Sequence, residues 1–148
     1  LNWINDIYNY YISNTAYTFD INQITIEEKK EWFHQFKNSE TSICLVGYEN
    51  DDLVGFVCST KFREKEAYNQ SLETSVYISE KFKGRGFGKK LMFELITRLK
   101  STNIKNLYAL ITYPNKTSIN LHEPIFWKFP KAFSSIVVNP PAIFPAVG

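Results

Sequence analysis

The stretch from Glu73 to Leu99 constrains this chain more than any other. Glu73 to Ser79 alternates. Thr74, Val76 and Ile78 face one way, and Glu73, Ser75, Tyr77 and Ser79 the other, which is the period of a strand. Lys83-Gly84-Arg85-Gly86-Phe87-Gly88 then sets a glycine at every second position. An amphipathic helix follows. Phe87, Leu91, Leu95 and Leu99 form one ridge with Met92 and Ile96 beside it, and Glu94 and Arg98 pair on the wet face. A strand, a glycine bend and a helix start, in that order, make an anion cradle. First-turn N–H groups have no intrahelical partner, the helix dipole is positive there, and glycine lets the backbone approach a ligand. Lys83, Arg85, Lys89 and Lys90 add positive charge around the bend.

Two phosphate motifs are excluded by spacing. A P-loop has four residues between its first glycine and Gly-Lys-Ser/Thr. Here three separate Gly84 from Gly88, and Lys90 stands where a hydroxyl would hold magnesium. The dinucleotide fingerprint G-x-G-x-x-G fails by one residue, and no carboxylate follows at the distance that would take a ribose hydroxyl. The bend fits Q/R-x-x-G-x-G/A, with Lys83 in first position.

Around this unit the chain reads as alternating helices and strands. Asn2 to Ile12 is a helix with Trp3, Ile4, Ile7, Tyr8, Tyr11 and Ile12 on one face. Thr25-Ile26-Glu27-Glu28 is a capping box; its helix carries Trp32, Phe33 and Phe36 inward and ends near Asn38. Ser42–Tyr48 and Leu53–Thr60 flank the turn Asn50-Asp51-Asp52 as a hairpin. Lys61 to Gln70 is a polar loop. Asn106 to Thr112 is a further strand, and Pro114-Asn115 opens a last helix through Glu123. From Pro124 onward the chain changes character: five of its 6 prolines lie there, Lys128 and Lys131 are the only charges, and no helix or strand period survives. The expectation is one domain with a core over residues 1–123 and an irregular, apolar segment over 124–148.

Composition narrows the function classes. With 148 residues the chain can bury a core without disulfides or metal. A net charge of +2 is too balanced for nucleic-acid binding by bulk charge. No apolar run approaches a membrane span, and no basic-then-apolar leader opens the chain at Leu1. Cys44 and Cys58 sit in apolar runs with no Cys/His cluster, which reads as two reduced core thiols in a cytoplasmic protein without zinc.

Glu73-Thr-Ser-Val-Tyr-Ile-Ser with Lys83-Gly-Arg-Gly-Phe-Gly-Lys-Lys-Leu resembles motif A of the GNAT acyltransferase superfamily. Ala67-Tyr68-Asn69, and Pro114-Asn115-Lys116-Thr117-Ser118 running into Leu121-His122-Glu123, are similar to its phosphinothricin/methionine sulfone N-acetyltransferase-like group. The resemblance spans about Ile7 to Glu123. It implies a mixed α/β fold with a mostly antiparallel sheet, splayed at its middle, and helices on both faces. It also implies acetyl transfer from acetyl-CoA to the primary amine of a small amino-acid-like molecule, by direct attack in a ternary complex and with no metal. By the same resemblance, amides from Lys83 through Gly88 (Lys83, Gly84, Arg85, Gly86, Phe87, Gly88) hold the coenzyme pyrophosphate, with Lys89 nearby. Val76, Ile78 and Asn115 bind the pantetheine arm. Glu73 serves the acceptor amine and His122 the thiol side, while Arg63 and Tyr68 line the acceptor pocket. The implied partners are a small-molecule amine and a second copy of the chain, with no nucleic acid and no membrane. A non-catalytic coenzyme-binding domain and a protein-amine acetyltransferase are the rivals. The chain departs from the group in lacking the family's first strand and in continuing from Leu121-His122-Glu123 into the proline-rich segment.

Overall fold

The computed structural model describes residues 1–112, 115–128 and 133–139. Pro114 and the prolines at 130, 140, 141 and 145 lie outside the described residues, as does Lys131.

Helix α1 (Asn2–Asn14) buries Ile4 and Tyr11 and half-buries Ile7, Tyr8 and Ile12, while Trp3 stays in solvent. Its polar residues tie down the following loop. Asn5 Nδ2 and Asn9 Nδ2 donate to Ile24 O at 3.1 and 2.8 Å, and Ile24 N donates to Asn9 Oδ1 at 2.8 Å. That loop delivers the chain into helix α2 (Ile26–Phe33), which starts with the expected capping box between Thr25 and Glu28. Trp32, Phe33 and Phe36 pack on one another and are half-buried. The buried residue of α2 is Lys29.

Strands β1 (Ile43–Glu49) and β2 (Asp52–Lys61) form the expected hairpin. Its turn is tight because Asn50 takes the left-handed conformation (φ 56°). Strand β3 (Ser71–Ile78) pairs antiparallel with β2 from Leu72 to Ile78. Helix α3 (Phe87–Leu99) crosses back, so strand β4 (Asn106–Thr112) joins β3 in parallel. The sheet order is β1-β2-β3-β4-β5. Met92, Leu95, Ile96 and Leu99 of α3 pack on Val57, Leu72 and Leu107 of the sheet and on Ile125.

The segment after Glu123 departs from expectation. Helix α4 runs from Lys116 to Lys128 with Pro124 inside it. Proline there removes the hydrogen bond to the carbonyl four residues back, at a cost of about 3 kcal/mol. Ile125 next to it is fully buried in the core, which returns on the order of 2 kcal/mol. Strand β5 (Phe133–Asn139) then pairs in parallel with β4 from Leu107 to Thr112. The proline count masked both elements, although Ser134-Ser135-Ile136-Val137-Val138 has the β-branched composition of a strand.

Candidate active site

Strands β3 and β4 share only the rungs Ser71–Asn106, Leu72–Leu107 and Glu73–Tyr108. Beyond them β3 continues to Ile78 and β4 to Thr112 unpaired with each other, so the sheet opens as a V. Glu73 stands on the last closed rung. A cleft of about 430 Å³ fills the opening, and Glu73, Val76, Ile78, Lys83, Gly84, Gly86, Phe87, Gly88, Lys89, Asn115 and His122 all line it.

At the wide end lies the glycine bend. Gly84 and Gly86 hold φ of 74° and 81°, the left-handed region that glycine enters without steric cost. A Cβ on either would meet nothing within 4 Å, so the space above the backbone is open. Gly86 is the N-cap of α3, and no side chain caps that helix. The amides are left to a ligand. The neighbouring cations are occupied: Lys83 pairs with Glu80 and lies over the Tyr11 ring, and Arg85 Nη2 reaches Glu49 Oε1 at 2.7 Å. Lys83 lines the cleft, whereas the Arg85 side chain is turned to the hairpin. Gly88 serves packing; a Cβ there would come 2.6 Å from Leu121 Cδ1.

The walls of the V are main chain on one side and helix α4 on the other. Tyr11 enters from α1: its hydroxyl donates to Ile78 O at 2.8 Å and accepts from Ile78 N at 3.3 Å. Ile78 main-chain groups are therefore engaged. In the antiparallel ladder with β2, alternate residues point the same way, so the main chain of Val76 also faces the gap. Asn115, 7% exposed, caps α4 by accepting Ser118 N at 3.1 Å on Oδ1, which leaves its Nδ2 as a donor group on the cleft wall. His122, 3% exposed, has Nδ1 2.8 Å from Ser118 O, so Nδ1 carries the proton and Nε2 the lone pair. Burial lowers its pKa, partly offset by the Ser118 carbonyl, and the ring is neutral at pH 7.

Glu73 is half-buried, and burial raises its pKa; the charge of Arg63 pulls it part of the way back. Arg63 and Tyr68 do not line the cleft. Both are exposed and held by Phe62, which stacks on Tyr108 at 4.2 Å across from Glu73. The Arg63 charge nevertheless acts on the Glu73 carboxylate. Sequence periodicity missed Tyr11, because an aromatic at helical spacing looks like core. A second cavity of about 260 Å³ lies on the α1–α2 side of the sheet, lined by Tyr8, Asp20, Lys29, Trp32 and Cys58 among others; Phe19, Glu73, Ser75 and Tyr77 line both spaces. Cys44 and Cys58 face each other across β1 and β2 as free thiols. Burial pushes the Cys44 thiol up to about 11 and that of Cys58 higher still, so neither is a ready nucleophile. Among the described residues no cluster of His, Cys, Asp and Glu could hold a metal ion, and no helix is long and apolar enough to cross a membrane.

Known proteins are similar to this chain in sequence and fold. Residues 4–125 match the model of the acetyltransferase (GNAT) family. A phosphinothricin N-acetyltransferase of Streptomyces coelicolor is 33% identical over 121 residues, which cover 80% of this chain and 71% of that protein. An L-methionine sulfoximine/L-methionine sulfone acetyltransferase of Pseudomonas paraeruginosa is 25% identical over 78% of this chain and 67% of its own length. The crystal structure of a phosphinothricin acetyltransferase from Sinorhizobium meliloti in complex with AcCoA superposes with a TM-score of 0.78 at 26% identity, covering 84% of this chain and 67% of that one.

Proposed function

The chain belongs to the GNAT acetyltransferase family, and from that premise we propose that it moves an acetyl group from acetyl-CoA to the primary amine of a small amino-acid-like acceptor. The acceptor is of the phosphinothricin or methionine sulfone type, and attack is direct, in a ternary complex. One observation carries the reading: Glu73 stands on the last rung before the splay and borders both the cleft with the open cradle and the second cavity. Donor and acceptor then enter from opposite faces of the sheet and meet at one carboxylate.

The residues present fit acetyl-CoA, because the cradle is uncapped and has no side chain over it. Acetyl-CoA supplies a thioester carbonyl, an acyl carbon open to a neutral amine. Backbone N–H groups from Gly84 to Gly88 hold the pyrophosphate, the Lys83 N–H being engaged by Glu80 O at 3.4 Å, and because the Lys83 and Arg85 side chains are already paired, the main chain does most of this work. Val76 main chain and Asn115 Nδ2 orient the arm. The acceptor arrives as an ammonium ion and must lose a proton before it attacks. Glu73, its pKa raised by burial, takes that proton directly or through one water. His122 lines the cleft and orients or relays a proton on the thiol side. Arg63, whose charge acts on Glu73, meets the acceptor carboxylate, with Tyr68 on the same Phe62 ring.

The test is thiol release from acetyl-CoA with a panel of amino acids and their analogues, run with the parent and with Glu73→Gln. The expected result is turnover on amino-acid-like amines and a loss of about 10²-fold or more in kcat for Glu73→Gln, with coenzyme binding unchanged. Normal coenzyme binding with turnover on no amine of this class would overturn the reading.

A further inference from the structure

Lys29 is 3% exposed, near the middle of α2. Burying an ammonium costs free energy. Here two rings offset part of that cost: Nζ lies 3.9 Å from the centre of Tyr8 and 4.5 Å from that of Trp32. Among the described residues no carboxylate is within ion-pair distance of it. Asp20 attracts it from farther off, but the Asp20 carboxylate is engaged by the Tyr8 hydroxyl. For stability alone an apolar side chain would serve this site as well or better. The ammonium borders the second cavity, whose lining runs on to Glu73 and Ser75 on β3. The cavity thus holds one buried cation and, elsewhere on its wall, the carboxylate assigned to the amine.

We propose that Lys29 is the oxyanion-recognising residue of the acceptor cavity, binding a carboxylate or phosphinate oxygen of the molecule whose amine lies at Glu73. The assignment rests on the amino-acid-like acceptor argued above. It gives the acceptor two cations, Arg63 acting near Glu73 and Lys29 on the cavity wall.

Four acceptors separate the sources of the oxyanion. Methionine sulfone carries a carboxylate only, 3-(methylsulfonyl)propylamine neither anion, phosphinothricin both, and 3-aminopropyl(methyl)phosphinic acid a phosphinate only. Lys29→Met keeps the length and apolar stem, and Lys29→Arg restores the charge. For Lys29→Met, kcat/KM is expected to fall about 30-fold, through KM, for acceptors with the recognised oxyanion relative to the amine with none. Lys29→Arg should recover most of it. Loss on methionine sulfone but not on the aminophosphinate assigns the carboxylate, and the reverse assigns the phosphinate. An equal fall on all four, as a purely structural lysine would give, overturns the proposal. If the parent acetylates none of them, the acceptor reading fails, and tryptophan fluorescence titration with the same molecules decides the lysine separately. Binding that disappears in Lys29→Met upholds it, while absence of binding to the parent overturns it.

Discussion

Burial and charge pull Glu73 in opposite directions. Desolvation favours its neutral form, the Arg63 guanidinium favours the anion, and burial is the larger effect. The carboxylate therefore accepts a proton at higher pH than an exposed glutamate would. In the proposed mechanism Glu73 acts as a base only when ionised, so kcat/KM should fall as pH drops through the raised value. In Glu73→Gln that acidic limb should vanish from the pH–rate profile, and in Arg63→Leu it should move to higher pH, since the stabilising charge is gone. A limb that stays put in Arg63→Leu would separate Arg63 from the site. At this scale the sequence revealed residue types better than their surroundings. Glu73, His122 and Asn115 were legible because they stand in a recognisable spacing. Lys29 was not, because nothing local distinguishes a buried lysine from a solvated one; its burial is made by the loop that Asn5 and Asn9 pin to α1. Arg63 and Tyr68 were legible as polar loop residues, but their distance from the cleft depends on how Phe62 stacks on Tyr108.

Periodicity carries across a whole element, which is why α3 could be read almost to the residue and β3 to within two residues, while the end of the chain could not. The bend between them makes a prediction of its own. Gly84→Val and Gly86→Val each force a β-branched residue into φ above 70°, at a cost of at least roughly 1–2 kcal/mol. They also place methyl groups over a cradle that now has nothing within 4 Å. The expected outcome is a KM for acetyl-CoA raised at least about tenfold in each, with the acceptor KM little changed. Gly55→Val is the contrast. A Cβ there would overlap the Tyr77 carbonyl oxygen, so this variant should lose stability rather than coenzyme affinity. Equal coenzyme affinity in parent, Gly84→Val and Gly86→Val would remove the bend from the binding site. In α4 the local rule misled, because a proline that stops an isolated helix is tolerated where the next residue, Ile125, is fully buried.

Helix α3 packs against the sheet, and the V opens in that sheet between β3 and β4 beyond their three shared rungs. Coenzyme binding to the folded chain should stabilise it by mass action. At coenzyme A concentrations near 100 times Kd the gain is about 2.7 kcal/mol, which for a chain of this size raises the melting temperature by roughly 5–10 °C. The cradle belongs to β3 and α3, on the far side of β4 from β5. A chain ending at Lys128 lacks β5 and leaves the edge of β4 from Leu107 to Thr112 unpaired. Its melting temperature should drop by several degrees and its tendency to aggregate should rise. The increment produced by coenzyme A should nevertheless persist, because the glycine bend lies between β3 and α3 and Gly86 caps α3. Thermal denaturation of both chains with and without coenzyme A measures the two effects separately. A shortened chain that folds but shows no coenzyme increment would mean that the last strand shapes the cradle through β4, and that the cleft and the sheet edge are one cooperative unit.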